Sequence, residues 1–339
     1  MTHDLYIKSN QRQYEIIDYL KGFSIITIAL GHLIQCLDIP GMIYTLSSLG
    51  GTGVHVFFLC SGFGLYASHR KKELRFPEFI KKRFLKIYLP YIFVVLILFF
   101  LPFTFDGSFR ERVVALLSHV FLFKMFVPEL EGSFCYPFWY MSTLFQFYLL
   151  FIPLCNLKKR MKTRTFVIIC VGASVLWWIL SVSLGIASER IWGSLFLQYL
   201  WEFAIGMALA EYLAGKDLKV KLWVLAAVAG IGLATGGFLA VKGGFLKSFN
   251  DFFLMSGYLS AAVILYLFLP FVKKICLQVN QISYELYLVH DNCNRAVFIY
   301  IYGALISNQY VAAVVALVIG LVVAVIFNRM IRKASRLAM

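Results

Sequence analysis

The chain has 339 residues, of which 61% are apolar, 17% aromatic and only 14% charged. A mean hydropathy of +0.80 excludes a soluble domain, and apolar runs that are continuous rather than alternating exclude a β-barrel. The net charge of +15 does not point to nucleic acid, because the basic residues lie in short loops between apolar runs, the positive-inside pattern of a polytopic helical membrane protein.

Residues 1–15 form a polar segment expected on the cytoplasmic side. No small-residue cleavage site follows the first apolar run, so that run is read as a retained helix and not a signal peptide. The predicted spans are 16–37, 50–68, 87–105, 138–156, 165–187, 194–214, 222–241, 252–272, 284–305 and 311–331. A further apolar stretch, 113–127, is broken by His119 and Lys124 and is short for a span. The loop charges settle its status. Segments 69–86, 157–164, 216–221, 273–274 and the tail 332–339 are basic. If 113–127 does not cross, all of them share one side, with both termini cytoplasmic. The fold expected is therefore an all-α bundle of about ten transmembrane helices, with a membrane domain over 16–331 and 113–127 as a re-entrant or interfacial element. The outer loop 242–251, carrying Lys242 and Lys247, runs against the charge rule. The seven cysteines are scattered, with no CxxC pair, and predict neither a disulfide framework nor a metal site.

Five polar constellations interrupt this pattern. In the first span, Asp18, Lys21 and His32 occupy apolar surroundings, where a central Lys or Asp costs about 2.5–3.5 kcal/mol. Eleven residues of helix turn through about 1100°, which puts Lys21 and His32 on one face about 16 Å apart. Such a column faces a bundle interior or a wet cavity, and histidine suits proton transfer near neutral pH. The second is Gly50-Gly51-Thr52-Gly53-Val54-His55, continuing to Ser61-Gly62-Phe63, where the glycines allow close helix approach. The third is the cationic run Lys81-Lys82-Arg83 with Lys86, closing at Pro90. It meets either lipid headgroups or the phosphates of a cytoplasmic donor such as coenzyme A. The fourth is Trp139-Tyr140-Met141, with Trp139, Thr143 and Gln146 on one helix face. The fifth is Ser283-Tyr284-Glu285-Leu286-Tyr287-Leu288-Val289-His290-Asp291. Ser283, Tyr287, His290 and Asn294 share one stripe. Tyr284, Asp291 and Arg295 share the next, with Asp291 and Arg295 spaced as an i, i+4 pair. This helix belongs in the interior. Glu202, in the span 194–214, is an intramembrane acid with no partner visible in the sequence.

In this order the five stretches resemble the acyltransferase-3 family of integral membrane acyltransferases. The family patterns DxLRG…H, GxxGVxxFFxxSGF, RRxxRxxP, WYL and SYxxYLxH correspond to Asp18–His32, Gly50–Phe63, Lys82–Pro90, Trp139–Tyr148 and Ser283–His290. Lys21 stands where the family has arginine, His55 where it has an acid, Lys86 where it has a second arginine and Met141 where it has leucine. The resemblance implies a ten-helix protein of the cell membrane that transfers an acyl group, usually acetyl from acetyl-CoA, to a carbohydrate hydroxyl at the outer side, without a metal. His32 is the implied catalytic residue, as general base or transient acyl carrier, assisted by Lys21 and Asp18. Lys81, Lys82, Arg83 and Lys86 are the donor-phosphate candidates. His55, Ser61, Trp139, Tyr140, Gln146, Tyr287 and His290 are the acceptor candidates. The competing reading is a transporter of protons or of a glycan precursor, since a polar column also suits a proton path. The absence of two-fold hydropathy symmetry weighs against it.

Overall fold

The computed structural model describes residues 4–7, 15–214, 217–242 and 249–337. Lys247 and the polar residues 8–14 lie outside them. Helices dominate: α1 Glu15–Ile34, α2 Gly41–Ser48, α3 Gly53–Lys71, α4 Phe76–Arg83, α5 Leu89–Phe100, α6 Phe109–Val120, α7 Trp139–Lys159, α8 Thr163–Ser183, α9 Arg190–Gly193, α10 Phe196–Tyr212, α11 Leu222–Lys242, α12 Asn250–Phe268, α13 Pro270–Asn280, α14 Ser283–Tyr300 and α15 Gln309–Leu337. Among the described residues nine helical segments are long and apolar enough to cross a bilayer. The remaining predicted span, 284–305, is α14, which carries Glu285, Asp291 and Arg295. It is too polar to meet lipid and is buried instead beside α1 and α15. The protein is thus an all-α polytopic membrane bundle. Two short strands, β1 Asp4–Ile7 and β2 Leu218–Lys221, pair antiparallel and tie the N-terminal segment to the connection after α10.

Helix α1 runs through the middle of the bundle, with Tyr19, Ser24 and Ile25 fully buried. Its partners approach closely because glycines remove the side chains between them. A Cβ on Gly22 would lie 1.8 Å from the Cys276 carbonyl oxygen of α13. The α3–α10 crossing has the same construction. A Cβ on Gly62 would lie 2.1 Å from the Phe203 oxygen, and one on Gly206 2.0 Å from the Leu59 oxygen. Helices α1 and α15 are antiparallel. Asp38, just past α1, exchanges hydrogen bonds with Gln309 at the start of α15, at 2.8 and 3.1 Å. At the opposite end the Asn328 amide donates to the Gln281 carbonyl (3.2 Å), just before α14.

Two expectations are corrected. Segment 69–86 is not a loop through Lys86. A continuous helical rod, long and apolar enough to cross a bilayer, begins at Phe76 and continues to Phe100. A single π-turn, Phe84–Tyr88, joins α4 to α5, and the Leu89 N–H donates to the Phe84 carbonyl. Pro90 explains the turn: it has no N–H for the Lys86 carbonyl, and its ring would clash there in a regular α-helix. Segment 273–274 is likewise helical, within α13. Residues 113–127 agree with the non-spanning reading. Helix α6 has only 12 residues, about 18 Å of length. It starts at a capping box between Ser108 and Glu111, and short 3-10 turns follow to Phe138.

Candidate active site

A cavity of about 1430 Å³ follows α1 from Lys21 past Ile28 and His32 to Gln35. One end is bordered by Lys82, Lys86, Gln281, Ser283, Asn328 and Arg332, and the other by Tyr136, Trp139, Arg190, Asp291 and Arg295. The residues at the first end belong to the start of α1, the α4–α5 rod, the start of α14 and the end of α15. Those at the second end belong to the opposite ends of the same bundle.

His32 stands on the wall between these ends. Its Nδ1 lies 2.9 Å from Nε2 of His290 on α14. The rings are stacked within 7° of parallel, with centroids 5.1 Å apart. His290 Nδ1 lies 2.9 Å from the Leu286 carbonyl and 3.1 Å from that of Tyr287. Carbonyls only accept, so His290 carries its proton on Nδ1. With both rings neutral, His290 Nε2 then accepts from His32 Nδ1–H. The tautomer of His32 follows. Its Nε2 has a free lone pair and no protein partner among the described residues, on a side chain that lines the cavity. This is the protonation pattern of a general base whose orientation is set by a second group.

The middle of the cavity is walled by Val54, Phe57, Ser61, Tyr140, Leu144 and Tyr287. Ser61 is hydrogen-bonded to Tyr140. The Tyr287 hydroxyl donates to the Pro137 carbonyl (3.0 Å), which fixes the turn in front of α7. At the basic end Lys86 lies within electrostatic reach of Lys21, Lys82, Arg83 and Glu285. Lys21 is 3.5 Å from Asp18 and partly exposed.

The expected residues separate into two groups. His32, Lys21, Lys82, Lys86, Ser61, Trp139, Tyr140 and Tyr287 line the cavity. His290 sits behind His32. The other candidates face elsewhere. Lys82 and Lys86, four apart, share a helical face, and this turns Lys81 and Arg83 away from the cavity. Arg83 lies over the Phe79 ring, 5.4 Å from its centroid. Gln146 and Thr143 hold the backbone ahead of α10. The Gln146 amide donates to the Ser194 carbonyl (3.2 Å) and its oxygen accepts from Phe196 N–H (3.0 Å), while Thr143 Oγ1 donates to the same Ser194 carbonyl (2.7 Å). His55 is the partner of Glu202, with Nδ1 2.5 Å from Oε1, and its Nε2 lies 3.6 Å from Asp251 Oδ1. Asp291 and Arg295 do not pair. Asp291 accepts from Cys135 Sγ (3.7 Å), and Arg295 donates to the Phe103 carbonyl (2.9 Å).

Sequence reasoning did not single out Arg190, Tyr136, Gln35 or Arg332 for the site. None belongs to a recognisable motif, and only their place at the cavity rim gives them weight. The segment over the far rim is pinned by Lys124, which is fully buried and donates to the carbonyls of Ser133 (3.2 Å) and Cys135 (2.9 Å). Beside it, His119 is held between the Tyr91 hydroxyl (2.7 Å) and Ser133. Burial lowers Lys124 to about 7 and takes His119 well below the usual histidine range. Among the described residues no group of three or more His, Cys, Asp or Glu side chains is placed to hold a metal ion.

A bundle of membrane helices pierced by a polar cavity, with a histidine oriented on its wall, defines an integral membrane protein with a polar path into the bilayer. The model of the acyltransferase domain family, acyltransferase-3, matches residues 14–329, and the chain belongs to that family. It is a multi-pass membrane acyltransferase. No curated protein and no solved structure matches the chain.

Proposed function

We propose that this chain is an O-acyltransferase of the cell membrane. It takes an acyl group, in the simplest case acetyl, from acyl-CoA at the end bearing Lys21, Lys82, Lys86 and Arg332. It delivers the group to a carbohydrate hydroxyl entering from the end bearing Trp139 and Arg190. The positive-inside distribution orients the first end to the cytoplasm, where acyl-CoA is made. The observation that carries the reading is the cavity itself, which reaches both ends and holds the free Nε2 of His32 on its wall.

The chemistry balances with the groups present. His32 Nε2 removes the proton of the sugar hydroxyl as its oxygen attacks the thioester carbonyl carbon. The C–O bond forms, the C–S bond breaks, and the proton passes from His32 to the departing thiolate, leaving the ester and free coenzyme A. Ammonium groups of Lys82 and Lys86 meet the donor phosphates. Lys21 holds the donor or offsets negative charge on the carbonyl oxygen. Tyr140 and Tyr287 present flat walls to the reacting groups.

The test uses purified full-length protein in liposomes, with radiolabelled acetyl-CoA outside and oligosaccharide inside. Label should appear in the sugar, and His32→Ala should lower transfer about 10²–10⁴-fold while the protein remains folded. Undiminished transfer by His32→Ala would sink the assignment. Movement of sugar without an ester product would make the protein a transporter.

A further inference from the structure

The far mouth of the cavity holds two guanidinium groups without carboxylate partners. Arg190 donates through Nε to the Tyr136 hydroxyl (2.9 Å), and a second of its nitrogens contacts the same oxygen. Its guanidinium carbon lies 4.9 Å from the Trp139 ring centroid and 5.1 Å from that of Tyr136. Arg295 donates to the Phe103 carbonyl. Both line the cavity, and neither forms an ion pair among the described residues. Glu189, next to Arg190, accepts instead from Trp192 Nε1 (2.9 Å). Among the described residues that line this end of the cavity the carboxylate is Asp291, engaged by Cys135, so two guanidinium groups stand there against one carboxylate.

Arginine presents five N–H donors in a planar fork that matches carboxylate and phosphate oxygens two at a time. A single tyrosine hydroxyl and one backbone carbonyl leave most of these donors without a protein partner among the described residues, on two side chains that line the cavity. Stacking on Trp139 and Tyr136 fixes the plane of Arg190 in advance, so little side-chain freedom is lost when an oxyanion binds. The same rings offer flat apolar faces beside the guanidinium, suited to the C–H face of a sugar. We infer that the mouth formed by Arg190, Arg295, Tyr136 and Trp139 binds an oxyanion carried by the acceptor, so that the acceptor is an acidic carbohydrate. This deepens the acyltransferase reading and rests on it. The acidic group is a uronate carboxylate or a phosphate, and the same fork serves either.

The experiment is calorimetric titration of the purified full-length protein with three probes: methyl β-D-glucuronide, α-D-glucose 1-phosphate and neutral methyl β-D-glucoside. At least one anionic probe should bind about tenfold or more tightly than the glucoside, the discrimination expected of charge-assisted hydrogen bonds. Which anion is preferred separates carboxylate from phosphate. Arg190→Gln should abolish the preference and Arg190→Lys should reduce it, whereas Lys242→Gln, at the end of α11, should leave it intact. Equal binding of all three probes, no binding of any, or a preference that survives Arg190→Gln and Arg295→Gln together overturns the inference. Acyl transfer to the same probes is measured in parallel. An anion preference without transfer counts against the acyltransferase reading and leaves the mouth standing. Transfer without anion preference does the reverse.

Discussion

His32 Nδ1 and His290 Nε2 lie 2.9 Å apart, although 258 residues separate them in the chain. The contact makes His290 the residue that chooses the tautomer of His32. Its own Nδ1–H is committed to the Leu286 and Tyr287 carbonyls. Only its Nε2 lone pair remains, and that site accepts a hydrogen bond from His32 Nδ1–H.

His290→Ala should therefore act through the base and not through donor binding. The expected result is a fall in kcat of about 10²-fold or more, with the KM for acyl-CoA little changed. His290→Gln, which can still present an acceptor, should recover part of the loss. If His290→Ala raises KM while sparing kcat, the residue contacts substrate instead of orienting His32.

The cationic rod supplies a contrast between neighbours. Lys82 and Lys86 line the cavity, while Lys81 is turned from it. Lys82→Gln and Lys86→Gln should each raise the KM for acyl-CoA about tenfold, with kcat retained. Lys81→Gln should change KM by less than about twofold. Equal effects at all three positions would mean a diffuse field at the membrane surface and no docking site. Lys21→Arg should keep most activity and Lys21→Ala should not, if Lys21 takes the place of the family arginine.

The helices were legible because crossing a bilayer demands apolar length, and the Lys21–His32 stripe because helical spacing is fixed. What could not be read was anything decided by a distant partner. His290 was visible only as a polar residue on an interior face. Nothing local says that it meets His32. Glu202 has no partner legible in the sequence for the same reason, since His55 lies 147 residues away. The choice of Lys82 and Lys86 over Lys81 and Arg83 required knowing that the rod starts at Phe76. A high density of charge hid that start from any hydropathy reading. Gln146 lies on the same helical stripe as Trp139, yet its amide is spent on backbone groups near Ser194.

The His55–Glu202 pair should behave as a buried ion pair whose halves need each other. Glu202 is fully inaccessible, and its second carboxylate oxygen has no hydrogen-bond partner. His55→Ala should destabilise the protein by about 3–5 kcal/mol, because a buried charge is left uncompensated. Replacing both residues by apolar ones should cost less than His55→Ala alone. A double-mutant cycle read by thermal unfolding in detergent checks this, and strict additivity would refute the coupling.

Close helix contact sets a second stability test. Gly62→Ala and Gly206→Ala each drive a methyl group into backbone across the α3–α10 interface. Overpacking of this kind costs about 1–3 kcal/mol or more. Gly64→Ala and Gly172→Ala, whose Cβ positions meet nothing within 4 Å, should leave the unfolding temperature nearly unchanged.

Lys124 gives the stability a direction in pH. Burial lowers its ammonium to about 7 from the usual 10.5, with Glu131, Asp291 and Cys135 opposing the shift and Arg190 adding to it. Below pH 7 the folded and unfolded chains both hold the proton, and the folded chain bears the cost of a desolvated cation. Between about pH 7 and 10.5 the unfolded chain holds one proton more than the folded one. The contribution of Lys124 to stability therefore rises with pH across that interval. The difference in unfolding temperature between the wild type and Lys124→Met should grow in favour of the wild type from pH 7 to pH 9. At pH 9 the neutral amine still donates to the Ser133 and Cys135 carbonyls and no longer carries charge. A difference that stays flat from pH 6 to pH 9 would show that Lys124 keeps an ordinary ammonium in the folded protein.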